Sequence, residues 1–321
     1  MGRRERRLEA RKLLTEEKHD TQAQTTSKVG RFFDKNYHKL QLIPLIIILL
    51  AIGYNAVFFV QHGDFVRKGV SLAGGTAVSI TTSDPVDTVA IEKALRSSFP
   101  NADLTVQTIS GSQGSLGFAV DAANVDPDPN NAEKLLVARL KQLYPAADYS
   151  TETTGPSLGS AFFVQTMIAI VAAFVLMAIV VFASFRTFYP SMAVVAAGFS
   201  TVVSTLAVFN LLGFQLSTAG VAAFLMLIGY SIDTDILLST RVLKGTGPFI
   251  SNVWSAAKTG LTMQVTTATT VTVILFFSIN PVFTQIMTII LIGMFFDVLY
   301  TWVQNAAILK WYVERKERAH R

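Results

Sequence analysis

Residues 218–244 read TAGVAAFLMLIGYSIDTDILLSTRVLK. The part from 218 to 238 is long and apolar enough for a helix to cross roughly 30 Å of hydrocarbon. Two carboxyls, Asp233 and Asp235, nevertheless fall inside it, and Arg241 stands near its end. An Asp at the centre of a spanning helix costs about 2.5–3.5 kcal/mol on insertion scales. Such residues persist mainly inside a bundle or beside a hydrated cavity, where they commonly handle protons or ions.

Five further apolar runs flank this one, at about 40–60, 162–185, 190–212, 262–279 and 283–309. Of the 321 residues 51% are hydrophobic and 15% charged, whereas a soluble domain is about a quarter charged. The deficit is local, since residues 161–309 hold only seven charges. The chain has no cysteine, which excludes disulfides, thiolate metal sites and a cysteine nucleophile.

Lys and Arg accumulate on the cytoplasmic side of membrane proteins. Residues 1–39 carry eleven basic and six acidic side chains. Arg186 follows the second run, and Arg241, Lys244 and Lys258 follow the fourth. After the sixth, Lys310, Arg315, Lys316, Arg318 and Arg321 outnumber Glu314 and Glu317. Residues 61–160 carry seven basic and eleven acidic side chains, and the loops near 210–216 and 280–281 carry no charge. In a six-span count every basic segment falls on one side. The expectation is a multi-pass protein of the cell membrane with both termini cytoplasmic and residues 61–157 outside. The net charge of +5 then reflects topology and gives no reason to expect a nucleic-acid partner. The first run exceeds a typical signal core and lacks a small-x-small cleavage site at 61–64, so it reads as a retained anchor. Residues 15–28 read as a solvated tail or an amphipathic surface helix.

The outside segment reads as a small α+β domain. Residues 76–82 alternate and favour a strand; 87–98 have helical spacing behind Asp87, a capping residue. Short strands at 104–109 and 116–120 flank Gly111-Ser112-Gln113-Gly114, a hairpin signal. A second amphipathic helix at 131–143 and a strand at 149–154 follow. The order βαββαβ predicts a ferredoxin-like split unit. The fold class expected is therefore a polytopic α-helical membrane protein, a six-helix bundle with an extracytoplasmic α+β ferredoxin-like domain between helices 1 and 2. Its divisions are a basic cytoplasmic tail at 1–39, helix 1 at 40–60, the outside domain at 61–157, helices 2–6 at 158–312 and a basic cytoplasmic tail at 313–321.

Three ionisable residues remain inside the spans: Asp233, Asp235 and Asp297. Facing lipid, they would cost on the order of 8–10 kcal/mol. One reading makes them helix glue, hydrogen-bonded to Thr266, Thr267, Thr269 and Thr270 or to Gln304 and Asn305. The favoured reading makes them, with Arg241, an ion path. A desolvated carboxyl takes up a proton more readily and a nearby Arg opposes this, so a changing carboxyl–Arg distance is a proton switch. Asp233 and Asp235 lie about 200° apart on a helix, so Asp233 is the expected partner of Arg241. Gly229 and Ser231 would relax that assignment if the helix unwound there. No phosphate-binding loop is present, the four His lie outside the core spans, and neither enzymatic activity, a metal nor a cofactor is expected.

Gly229-Tyr230-Ser231-Ile232-Asp233-Thr234-Asp235, running on to Arg241, resembles the fourth-span signature of the SecD/SecF family of protein-export membrane proteins, roughly G-Y-S-x-N-D-x-I-V-x-x-D-R. Gly69-Val70-Ser71-Leu72-Ala73-Gly74-Gly75-Thr76 resembles its G-x-D-F-x-G-G-T stretch, and Thr154-Gly155-Pro156-Ser157-Leu158-Gly159 its V-G-P-x-x-G stretch. The departures resemble the archaeal branch, in which the SecF-type protein is a separate chain. Asp233-Thr234 stands where the family has Asn-Asp, Thr240 where it has Asp before Arg, and Ser71-Leu72 where it has Asp-Phe. Asp297 has no counterpart in the pattern. The resemblance implies an RND-superfamily bundle and a complex with SecD. It also implies association with the SecY translocon, a translocating polypeptide and membrane lipid, and use of the proton-motive force. Asp233, Asp235, Asp297 and Arg241 are the candidate ion path. Tyr230, Thr234, Thr240, Thr266, Thr270 and Asn305 are candidate polar supports, and Gly74, Gly75, Gly155, Pro156 and Gly229 are motif residues of structural use. Which Asp carries the ion, and whether it is a proton or sodium, stays open. A small-molecule or lipid exporter of the same superfamily and a non-conducting assembly subunit are the alternatives.

Overall fold

The computed structural model describes residues 36–82, 86–110, 116–278 and 280–319. The 15–28 tail and the turn at 111–114 lie outside the described residues. Six helices are long and apolar enough to span a membrane: Asn36–His62, Pro156–Phe185, Phe188–Leu211, Thr218–Lys244, Phe249–Phe277 and Pro281–Ala319. Four of them run well past the apolar stretches legible in the sequence. Hydropathy marks only the part in hydrocarbon, whereas the added turns pack on protein. Val253 and Ala256, for example, are buried against Leu238, Val242 and Leu309.

We label the elements α1 (Leu42–His62), α2 (Val70–Ala73), β1 (Gly75–Thr82), α3 (Thr88–Ser98), β2 (Asp103–Ser110), β3 (Leu116–Ala123), α4 (Pro129–Leu143) and β4 (Asp148–Thr154). The remainder are α5 (Pro156–Phe185), α6 (Phe188–Leu211), α7 (Thr218–Lys244), α8 (Phe249–Phe277), α9 (Pro281–Leu299), a π-helical segment Tyr300–Asn305, and α10 (Ala306–Ala319). In the bundle, α7 packs against α5, α6, α8 and α9. Two glycines permit close approach: a Cβ on Gly293 of α9 would meet Leu227 of α7, and one on Gly260 of α8 would meet Trp302. By contrast α1 rests mainly on α6 and exposes most of its large apolar side chains.

The four strands form one antiparallel sheet in the order β2-β3-β1-β4. Alternation places Val78, Ile80, Leu104, Phe118 and Val120 on one face, against Ile91 and Leu95 of α3 and Leu136 and Leu140 of α4. Both helices are capped, the first by Asp87 as its sequence predicts and the second by Asp128. Asp87 accepts hydrogen bonds from the Val89 and Ala90 N–H groups, and Asp128 from that of Asn130. On the other face Asp121 stands opposite Thr105 and Ala77, and Ala77 opposite Glu152. Burial, reinforced by the negative charge of Glu152, pushes the Asp121 carboxyl up to about 6.

Two stretches remote in sequence form the joint between this unit and the bundle. Gly74 has φ +88°, and a Cβ there would lie 2.5 Å from Pro156 Cα. A Cβ on Gly159 would lie 2.6 Å from Gly74 N. The glycines at 74 and 159 therefore exist because 69–76 and 154–159 touch backbone to backbone.

Gly74→Ala is expected to destabilise the protein by about 1–3 kcal/mol, measured by thermal unfolding in detergent. Gly53→Ala, where a Cβ meets nothing within 4 Å, should be neutral or stabilising by up to about 1 kcal/mol. Asp121 titrates with a raised pKa in the folded state, so its neutral form favours folding. That contribution is present below the ordinary value of 3.8 and is lost as pH rises through about 6. Asp121→Asn should therefore raise the unfolding temperature at neutral pH and flatten its decline between those two values.

Candidate functional site

Ser231, Asp235 and Ser239 recur every four residues along α7. Each step of four advances about 40° around a helix, so the three share one face. All are buried, Asp235 completely (0% exposed). Asp297, Thr301 and Asn305 repeat the same spacing where α9 passes into the π-helical segment, and they are buried as well. The two polar ladders meet. Asn305 Nδ2 donates to Asp235 Oδ1 at 2.7 Å, and Thr234 Oγ1 lies 3.0 Å from Asp297 Oδ2. The carboxyls of Asp235 and Asp297 lie within electrostatic range of each other, and Thr301 stands beside both. A π-turn in a helix frequently marks a functional position, and this one begins three residues after Asp297.

Asp297 is well supplied with donors. Gln264 Nε2 of α8 donates to Oδ2 at 2.6 Å, and Thr301 Oγ1 approaches Oδ1 at 3.4 Å. Trp302 Nε1 donates to Gln264 Oε1 at 3.2 Å, which fixes the orientation of the amide. Thr234 has a second acceptor, the Ser231 carbonyl, also at 3.0 Å. A hydroxyl has one proton to give. With Asp297 ionised it goes to the carboxylate; with Asp297 protonated, Asp297 donates to Thr234, which turns to the Ser231 carbonyl. The site thus accommodates either protonation state without an orphaned group at Asp297. Tyr300 OH, which follows Asp297 by three residues, shares a 2.6 Å hydrogen bond with Ser204 Oγ of α6 and ties the π-helical segment to that helix.

Of the residues singled out in the sequence, Asp235, Asp297, Thr234 and Asn305 converge here. Asp233 does not: it projects from the exposed face of α7 with Gly229 and Tyr230, on the opposite side from Asp235 as helix geometry predicts. Its expected pairing with Arg241 is not found. Among the described residues the two make no ion pair, and Arg241 donates to Ser255 Oγ. Thr240 is half-buried. Thr266 and Thr270 do not bridge helices, because they are exposed and their hydroxyls bond carbonyls of their own helix. Gly75 (φ +136°) lies against the Ala122 carbonyl, Gly155 and Pro156 adjoin Gly74, and a Cβ on Gly229 would meet nothing within 4 Å. The sequence reading missed Gln264, Thr301, Ser231 and Ser239. The signal existed for three of them, since each is four residues from Asp235 or Asp297 on the same helical face. Gln264 is the one amide in the 262–279 run.

These features define a polytopic membrane protein whose helical bundle closes around buried carboxyls and bears one small α+β unit. The fold is similar to the crystal structure of SecDF, a translocon-associated membrane protein from Thermus thermophilus. The TM-score is 0.70 at 20% identity over 87% of this chain and 38% of that one. A structure of SecDF in a super-membrane-facing form gives 0.53 over 88% and 39%. Residues 136–315 match the family described as protein export membrane protein SecD/SecF, C-terminal. The protein-export membrane protein SecF of Pyrococcus furiosus is 36% identical over 87% of this chain and 92% of its own length. Those of Methanolacinia petrolearia and Methanocaldococcus jannaschii are 36% and 33% identical, over 89% and 87% of this chain and 99% and 96% of their own lengths. The chain belongs to the SecF family of protein-export membrane proteins.

Asn305→Leu removes the donor to Asp235 and is expected to cost about 1–3 kcal/mol of stability. Thr266→Ala should stay within about 0.5 kcal/mol of wild type. Denaturant or thermal unfolding of the two variants in the same detergent measures the difference.

Proposed function

We propose that the chain acts beside a SecD-type chain in the Sec machinery, and that ion movement through its carboxyl pair drives the motion that assists export. The single observation behind this reading is the pair itself: Asp235 and Asp297, buried between the fourth and sixth spans within electrostatic range of each other. Moving one charge across 100 mV is worth about 2.3 kcal/mol, comparable with making or releasing a small peptide contact. Asp235 and Asp297 are the ion carriers in this reading, Thr234 and Asn305 their hydrogen-bonding supports, and Arg241 a cytoplasmic-end charge. In this arrangement both termini are cytoplasmic and residues 61–157 form an extracytoplasmic, ferredoxin-like unit on an RND-type bundle. That unit moves against the spans and holds the emerging polypeptide near the SecY channel.

The SecD partner is supported by an exposed polar stripe. Gly229, Tyr230 and Asp233 of α7, and Thr262, Thr266, Thr269 and Thr270 of α8, lie on exposed faces of spanning helices. A carboxyl facing lipid at that depth costs about 2.5–3.5 kcal/mol, so a protein surface is the favoured cover. On this view Asp233 belongs to the partner contact and not to the ion path.

The test is gradient-stimulated export in vesicles that contain the chain with its SecD-type partner. Asp235→Asn and Asp297→Asn should each lower the gradient-dependent rate by on the order of tenfold and leave the gradient-independent rate in place. Asp233→Asn should instead weaken co-purification of the partner. Full gradient stimulation in both Asp235→Asn and Asp297→Asn would sink the coupling reading.

A further inference from the structure

A second polar site lies where the bundle meets the α+β unit, and none of its lining residues belongs to the centre around Asp235 and Asp297. An open cavity of about 450 Å³ is set between the end of α1 and the first turns of α5. Its volume is in the range of small-ligand sites. His62, Arg67, Lys68 and Ser160 supply polar lining, and Phe163 and Val164 are among its apolar walls. Both spans leave their apolar stretches here: α1 ends at His62, and the apolar run of α5 begins at about residue 162. The cavity therefore sits at the level of lipid headgroups.

Two cations line the cavity, and each lies over an aromatic ring. The Arg67 guanidinium is 5.9 Å from the centroid of the buried Phe58 ring. Its side chain makes no hydrogen bond or ion pair among the described residues. A cation–π contact uses none of the N–H donors of a guanidinium, so those of Arg67 are available. Lys68 Nζ lies 4.0 Å from the Phe163 ring centroid and 2.9 Å from Asp64 Oδ1. One carboxylate thus faces two cations, and one positive charge is left over at the edge of the hydrocarbon. The backbone that carries these cations is pinned. The Arg67 carbonyl accepts from the Leu216 N–H at 2.7 Å, and the Gly69 N–H donates to the Leu216 carbonyl at 2.8 Å.

The complement of such a site is a monoanion with an apolar body. A phosphodiester carries one negative charge and matches the donor fork of an Arg. Ser160 Oγ gives its proton to the Ser157 carbonyl at 2.9 Å, which leaves it as an acceptor for a headgroup hydroxyl. The helix faces beside the cavity are apolar: Val60 of α1 and Val164 and Ile168 of α5 are exposed at 83%, 57% and 64%. α1 rests mainly on α6, and α5 on α2, α6 and α7, so the two are not packed along each other. Lipid chains have a path along these faces that a soluble anion would not use. An acidic polypeptide would meet the same cations, but its unpaired backbone would lie against a lipid-facing wall.

We propose that Arg67 and Lys68 bind the phosphodiester of an anionic lipid in this cavity, with its chains along α1 and α5. In the orientation given under the proposed function, this is the extracytoplasmic leaflet. The site is independent of the ion path, so either proposal can fail without the other.

The full-length chain in a neutral detergent is unfolded thermally while dioleoylphosphatidylglycerol is titrated into the micelles. The expected result is a saturable rise of the unfolding temperature. Arg67→Gln and Lys68→Gln should each raise the half-saturating lipid fraction by on the order of tenfold. Ser160→Trp, which keeps both charges and narrows the cavity, should do the same. Arg186→Gln, which removes an exposed cation at the other end of α5, should leave it unchanged. The Arg67 side chain makes no hydrogen bond within the described residues, so Arg67→Gln decides the question should either of the other two variants fail to fold. No rise, an equal rise with dioleoylphosphatidylcholine, or an equal loss in Arg186→Gln would overturn the proposal. An equal rise with glycerophosphoglycerol, the headgroup diester without chains, overturns the lipid in favour of a soluble phosphodiester. An Arg67-dependent rise of the same size with polyglutamate overturns it in favour of an acidic polypeptide.

Discussion

Two carboxyls held apart from water between α7 and α9 impose the strongest constraint on this molecule. Asp235 and Asp297 are 0% and 3% exposed, and burying such groups is tolerable only when they are hydrogen-bonded or compensated. The donors come from three elements: Thr234 on α7, Gln264 on α8 and Asn305 in the π-helical segment. Each fixes a helix in rotation as well as position. Gly293 and Gly260 then let neighbours approach where a Cβ would collide with Leu227 and Trp302. The approach at Gly260 is the more consequential, since Trp302 is also the side chain that orients Gln264. The packing of α8 on the sixth span and the hydrogen bonding of Asp297 are thus one arrangement.

The bundle was largely legible in the sequence because lipid imposes a coarse and unforgiving filter. Six apolar runs gave six spanning helices, and the helix and strand periods gave the elements between the first two. Helix ends were less legible, because turns such as 249–261 gain their burial from neighbours that no local pattern reveals. The site was legible in half. Helix geometry predicts that Asp233 and Asp235 face opposite ways but not which of them faces inward. That choice is made by Asn305, some seventy residues away. The threonines of α8 resembled glue for the carboxyls, yet a threonine in a helix can satisfy its hydroxyl on its own backbone, and Thr266 and Thr270 do. Gln264 has no such local outlet, which is why it reaches Asp297. The π-helical segment had no signal in the sequence at all.

The exposed stripe on α7 gives the fourth span two unlike polar faces. The inward face is dense with hydrogen bonds and fixes the helix to α8 and α9. The outward face, with Gly229, Tyr230 and Asp233, is exposed and covered by none of the described residues. A helix rigidly held on one side and open on the other is a suitable element to transmit a displacement between two bodies. The fixed side defines what moves with it, and the open side defines what it moves against.

The start of α7 shows how such a displacement would reach the α+β unit. Gln215 Nε2 donates to Thr105 Oγ1 of β2 at 2.9 Å. Leu216 exchanges backbone hydrogen bonds with Arg67 and Gly69, just before β1. Ser71 Oγ accepts from the Thr218 N–H at the first turn of α7, at 3.1 Å. Gln285, in the first turns of α9, bonds both the Gln215 carbonyl and Ser217 Oγ. Four residues, Gln215 to Thr218, therefore connect the fourth span to the sixth, to the segment leaving the first span and to the sheet. A shift of α7 against α9 at the carboxyl pair, about five turns away along α7 and about three along α9, would have to be absorbed at this junction. The backbone contact of Gly74 with Pro156 and Gly159 leaves little slack on the opposite side of the joint. Under the proposed coupling, a rotation of the α+β unit about that glycine contact, driven from the Gln215–Thr105 side, would disturb fewer contacts than a deformation of the sheet.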